Sequence, residues 1–214
     1  MLGDGANGKS VFLDVIKYVL GSYAGVINAG ALIDRKSSSI PSDIAALANK
    51  RIVMMSEFPE HAPLNTTIIK SISGGDEITA RHLYQEWFEF KPQFQLVCAV
   101  NDLPRLNQVD QAYFRRVRIV PFEKIFLPQE MDKGLQEKLK LEADGILKWM
   151  IEGYQHFQSQ ALEPTTKMLA CLEEYITNED PVGQFVEERV EETNSQDFIP
   201  VQDMLSEIEL YCQS

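Results

Sequence analysis

The sequence predicts an α/β fold, a mostly parallel sheet with helices on both faces, followed by an α-helical appendage. Three observations carry that reading. Short apolar runs at Arg51–Met55, Phe94–Val100 and Val117–Phe122 are separated by helical patterns, as buried parallel strands are. A glycine-rich loop, Gly3–Ser10, leads straight into an apolar-periodic helix. After Pro128 the apolar residues fall at helical spacing throughout.

Taken in order, Val11–Leu20 places Val11, Val15, Ile16 and Val19 on one helical face, and Gly21 ends it. Residues 35–43 form a polar loop, with Ser42 or Asp43 capping a short helix through Ala48. Arg51–Met55 is a buried strand and Pro63–Ile72 a helix. Gly74-Gly75-Asp76 is a turn, and Glu77–Phe90 alternates as a hairpin. Within it Trp87 and Phe88 are read as core. Phe94–Val100 and Val117–Phe122 supply the second and third buried strands. Beyond Leu127–Gln129, helices are expected over Met131–Phe157, Pro164–Ile176, Pro181–Val190 and Val201–Tyr211, two of them with proline near the start.

The 214 residues suffice for one good core and a small second unit. No apolar run approaches the roughly 18–20 residues that span a bilayer, and no secretory leader is visible. Cys98, Cys171 and Cys212 lie far apart and form neither a disulfide nor a zinc pattern; Cys98 is expected in the core. That fits a reducing compartment such as the cytoplasm. Net charge is −12, but unevenly spread. Residues 1–125 carry 14 Lys and Arg against 13 Asp and Glu, whereas residues 126–214 carry 6 against 19. The acidity therefore belongs to the tail and leaves room for a locally basic surface in the first part.

Gly3-Asp4-Gly5-Ala6-Asn7-Gly8-Lys9-Ser10 satisfies the phosphate-loop pattern G-x-x-x-x-G-K-[ST]. Its glycines let backbone N–H groups turn inward, and the helix that follows points its positive end at an anion. Lys9 can reach the β- and γ-phosphates of a nucleotide such as ATP, and Ser10 can ligate Mg²⁺. The bland alternative is a glycine-rich turn before a helix. Only Met1 and Leu2 precede this loop where a buried strand is expected, so the chain reads as a fragment or as a product whose start was placed late. Arg51–Met55 runs on into Ser56-Glu57. An apolar strand ending in a carboxylate is suited to holding Mg²⁺ and orienting an attacking water, although many buried strands end in Glu by chance. The third strand ends in Asn101-Asp102-Leu103-Pro104. The Asn101 amide can hydrogen-bond a γ-phosphate or lytic water, or can simply close an Asx-turn before Pro104. Arg115 and Arg116 are either a solvated basic patch or a source of charge for a transferring phosphoryl group.

In this order the segments resemble motifs A, B, B′ and C and the arginine finger of superfamily 3 helicases. They are the Asn-Gly-Lys-Ser loop, the strand ending Ser56-Glu57, Ile69–Arg81, Asn101–Pro104 and Phe114-Arg115-Arg116 with Pro121-Phe122. The chain looks most like the helicase part of phage, plasmid and poxvirus-type primase-helicases, over residues 3–122 and more loosely in the tail. The resemblance implies a P-loop NTPase of AAA+-like type. Gly3, Asp4, Gly5, Ala6, Asn7, Gly8, Lys9 and Ser10 then bind ATP, Ser10 and Glu57 hold Mg²⁺, and Glu57 is the Walker B acid. Asn101 becomes the sensor, and Arg116 the finger with Arg115 in reserve. Lys70–Tyr84 matches the hairpin that grips single-stranded DNA in the pore. Arg81, His82 and Tyr84 there offer charge and a stacking ring without sequence readout, and Lys70 adds a further cation. The implied assembly is a homo-hexamer, with a primase domain upstream in the intact protein. Residues 1–126 form the ATPase core, 127–192 the appendage, and 193–214 the start of a winged-helix region. Competing expectations are a small-molecule kinase, for which a lid with clustered arginines is lacking, and a folded remnant that binds nucleotide without helicase activity.

Overall fold

The computed structural model describes residues 1–34, 42–59, 62–107, 109–191 and 198–213. The polar loop expected before Ser42 and the boundary expected at 192–193 lie outside the described residues.

Helix α1, Lys9–Leu20, follows the loop and buries Leu13, Val15 and Ile16. Gly21, with φ 53°, closes it through its N–H to Lys17 O. Strand β1 is Ala24–Val26, α2 is Ser42–Ala45, and β2 is Ile52–Ser56. Helix α3 runs Thr66–Gly74. It begins later than the sequence pattern suggested, because Asn65 caps it (Oδ1 accepts from Ile68 N at 3.0 Å). Pro63 and Leu64 instead make β-bridges to Arg105 and Ile33. Strands β3, Ile78–Ala80, and β4, Phe88–Phe90, form the expected antiparallel hairpin. Strand β5 is Gln95–Ala99, and α4 is Gln111–Phe114.

The order β1–β2–β5 is parallel throughout, with Val53 opposite both Gly25 and Leu96. Strand β2 is central and covered on both faces, hence its unbroken apolar run. Alternation sends Val53 and Met55 into the main core with Leu32, Ile44, Leu47 and Phe114. Met54 goes the other way, to Leu13, Ile16 and Ala99 under α1. Helices thus cover both faces of the sheet.

Leu2 extends this sheet by single parallel bridges, to Val100 on one side and Pro121 on the other. Leu2 N donates to Val120 O at 2.9 Å and Phe122 N to Leu2 O at 2.7 Å. The strand expected over Val117–Phe122 is reduced to this one bridge. Leu2 pairs with it there, and Pro121 has no N–H to add to a ladder.

The single helix expected over Met131–Phe157 is two, α5, Leu135–Leu141, and α6, Ala143–Ser159, broken at Glu142. Ile146 and Met150 of α6 pack on the α1 cluster. Helices α7, Thr166–Asn178, α8, Pro181–Arg189, and α9, Val201–Gln213, follow. Thr165 caps α7 and Pro181 occupies the first turn of α8. Tyr175 of α7 lies in the same buried cluster as Val53 and Phe114, and its hydroxyl donates to Pro104 O. Glu179 Oε2 accepts from Leu106 N at 2.5 Å. Burial pushes the Tyr113 hydroxyl up to about 12 and that of Tyr175 higher still. Cys98 packs half-buried against the main core, and burial pushes its thiol up to about 11. Among the described residues no helix is long and apolar enough to cross a membrane.

Candidate nucleotide-binding site

Parallel strands end on the same edge of a sheet, and loops at their carboxyl ends converge there. Three of the expected site elements leave that edge. Gly3–Ser10 follows Leu2, Glu57 follows β2, and Asn101 follows β5 by two residues.

Gly8 is left-handed at φ 87° and brings no side chain to cap α1; the first helical N–H, that of Lys9, donates to Asn7 Oδ1 at 3.4 Å. Gly5, Ala6 and Ser10 are exposed. Gly3, at φ 151°, passes so close to the next segment that a Cβ there would stand 2.4 Å from Phe122 O. Asn7 is buried, and its amide works in two directions. Nδ2 donates to Phe122 O at 3.2 Å, and Oδ1 accepts from the Lys9 ammonium at 3.2 Å. The loop is thereby fastened to the segment 120–126, which returns to it through Phe126 N to Ala6 O at 2.9 Å.

Lys9 is 6% exposed, and its ammonium lies inside its own loop. It donates to Gly3 O, to Asp4 O at 3.1 Å and to Asn101 Oδ1 at 3.4 Å. Burial holds this ammonium below the ordinary lysine value, with the Asp4 charge opposing. The contact with Asn101 brings together two residues that lie 92 positions apart in sequence. Glu57 is exposed and takes φ 65°, uncommon for a residue with a side chain. Its N–H still donates to Ala99 O at 3.1 Å, so the turn comes directly after the last rung of the β2–β5 ladder. Backbone strain of that kind concentrates at functional positions.

Arg115 and Arg116 follow α4. Arg116 Nη1 donates to Ala112 O at 2.6 Å, back to α4. Arg115 lines a groove with Pro164, Met168 and Leu169. Lys70 is paired with Asp110 at 2.6 Å. Asp110 also caps α4, accepting from Ala112 N and Tyr113 N, and Lys70 holds its carboxyl below the usual range. At the hairpin tip Tyr84 is fully exposed at φ 61°. Arg81 lies 4.7 Å over the Trp87 ring. His82 stacks on Phe88 at 5.5 Å and is half-buried. Phe88 packs against the core as expected, but Trp87 is 59% exposed, so it is a tip residue. Alternation across β4 could have shown this, since Trp87 and Phe88 cannot both face inward. Nothing in the sequence pointed to Asp110 as the partner of Lys70.

The profile of the family of unknown function DUF5906 matches residues 1–116. The chain belongs to this family. Its relatives include "Putative helicase L207/L206" of Acanthamoeba polyphaga mimivirus, 34% identical over 151 residues, 69% of this chain and 15% of that protein. "Putative helicase 022R" of Frog virus 3 is 31% identical over 206 residues, 87% of this chain and 21% of that one. "Putative helicase V13" of Sputnik virophage is 28% identical over 223 residues, 92% of this chain and 28% of that one. The chain therefore spans between 15% and 28% of the length of these curated relatives. Among solved structures, the A form apo structure of the NrS-1 C terminal region matches with a TM-score of 0.59 at 15% identity, covering 98% of this chain and 52% of that one. At that identity the likeness is one of fold.

Proposed function

We propose that this chain is the ATP-hydrolysing motor segment of a DNA helicase, an AAA+-like P-loop ATPase of the superfamily 3, primase-helicase type. The observation that carries the reading is the convergence of Lys9, Asn101 and Glu57 on one edge of a parallel sheet, with Lys9 and Asn101 in contact. The helicase names of the viral relatives support it.

The residues present fit a magnesium nucleotide. The N-terminus of α1 and the exposed Gly5, Ala6 and Ser10 would form a cradle for phosphate oxygens. Lys9, already free of its hydration shell, exchanges loop carbonyls for the β- and γ-phosphates. Ser10 and Glu57 would hold Mg²⁺, which would neutralise charge on the phosphates. Glu57 orients the attacking water, and Asn101 releases Lys9 to bind the γ-phosphate or that water. Arg116, or Arg115, completes the site of a neighbouring copy. In the homo-hexamer the exposed tip Arg81–Trp87 faces the axis and holds single-stranded DNA by charge and stacking. The intact protein would carry a primase domain upstream and work in the cytoplasm.

The test is ATP hydrolysis with and without single-stranded DNA over a protein dilution series. Specific activity should rise with concentration and with DNA, and mixed Lys9→Ala and Arg116→Ala chains should recover part of what each alone lacks. A proven monomer with constant, DNA-independent activity would refute the motor reading, and phosphate transfer to a metabolite would replace it with a kinase.

A further inference from the structure

The direction in which a nucleotide must lie on this edge points to a second subsite. Glu57 and Asn101 both lie on the β1 side of Leu2, because β5 and then β2 succeed it across the sheet. A terminal phosphate held by Lys9 and Asn101 leaves the nucleoside to run the opposite way, toward Pro121. On that side the segment 120–126 presents an exposed apolar surface beside the loop. Phe12 is 43% exposed, Phe126 38% and Ile125 51%. Aromatic surface left open beside a polar loop carries a free-energy cost that a bound apolar ring would remove.

We propose that Phe12 and Phe126 form the stacking platform for the nucleobase of the bound triphosphate. The inference rests on the nucleotide reading above and adds the subsite that reading left open. Both rings are fixed relative to the phosphate loop. Phe12 belongs to the first turns of α1, where its N–H donates to Gly8 O at 2.9 Å, and its ring meets Phe122 edge-on at 6.4 Å. The main chain of Phe126 is bonded to Ala6, and Asn7 fastens Phe122 from the other end of the segment. Lys124 lies 5.5 Å over the Phe126 ring, a cation–π contact that holds the ring against the segment. Both rings are apolar, so they recognise a base by stacked area. Purine nucleotides should bind more tightly than pyrimidine nucleotides, with little difference between ATP and GTP.

The experiment is calorimetric titration of the whole chain with the magnesium forms of ATP, CTP and inorganic tripolyphosphate. Phe12→Ala and Phe126→Ala should each weaken ATP by about tenfold, within the range known for removing an aromatic ring from beneath a base. Tripolyphosphate, which has no base, should bind each variant as it binds the parent, and Phe126→Trp should retain ATP. Should Phe126→Ala fail to fold, Phe126→Leu keeps apolar volume, removes the ring plane, and should show the same split. Equal weakening of ATP and tripolyphosphate would overturn the proposal, because the rings would then only shape the loop. Unchanged ATP affinity would overturn it too. The underlying reading fails separately, if Lys9→Ala binds tripolyphosphate as tightly as the parent does.

Discussion

Gly3→Ala isolates the contact between the phosphate loop and segment 120–126. The added Cβ would stand 2.4 Å from Phe122 O and 2.7 Å from Asn7 Nδ2. The first neighbour is backbone and cannot rotate away, and the second already bonds that same carbonyl. Residue 3 also holds φ 151°, which a side chain disfavours at about 1–3 kcal/mol. Forcing a methyl into a filled space adds about 1–3 kcal/mol. A total near 3 kcal/mol is expected, and at about 2–4 °C per kcal/mol for a chain of this size Tm should fall by roughly 6–12 °C. Gly5→Ala is the control, with nothing within 4 Å of its added Cβ. Paired thermal melts followed by circular dichroism decide the matter. If the two variants melt together, Gly3 is not clamped and the fastening of the loop to Phe122 is wrong. Nucleotide affinity measured on folded Gly3→Ala should fall as well, because Asn7 loses its place.

Glu57→Gln should keep ATP affinity and lose turnover by orders of magnitude in a phosphate-release assay, since it removes charge and keeps shape; hydrolysis at the parent rate would remove Glu57 from the site. Lys70 holds the Asp110 carboxyl below its ordinary value, so this pair stabilises the fold at neutral pH. That contribution is present above the ordinary carboxylate pKa and is lost as pH falls through the lowered folded value. Lys70→Ala should therefore lower Tm at pH 7 and much less in strong acid, read by melts across pH. Tyr84→Ala and Trp87→Ala should each weaken single-stranded DNA binding by about 1–3 kcal/mol in fluorescence anisotropy, with basal ATP hydrolysis unchanged. Arg81→Ala should also flatten the salt dependence, whereas Lys70→Ala should hardly alter it, because its charge is already matched.

The sequence by itself determined the elements that depend on local chemistry. The glycines and Lys9 of Gly3–Ser10 carry the phosphate-loop pattern directly before a helix, and β2 and β5 announce themselves as apolar runs because both faces of the sheet are covered. The turn at Gly74–Asp76 and the hairpin beyond it follow from glycine freedom and alternation. Tertiary structure decided which pieces meet. The Lys9–Asn101 contact, the Asn7–Phe122 bond and the Lys70–Asp110 pair each join residues far apart in sequence, and no local pattern encodes a partner. The same holds for Val117–Phe122, whose strand-like composition yields one bridge, to Leu2, a partner far away in sequence. Trp87 likewise reads as core by composition. Its exposure was fixed by the pleat of β4, which turns Phe88 and Phe90 toward the core, together on one face.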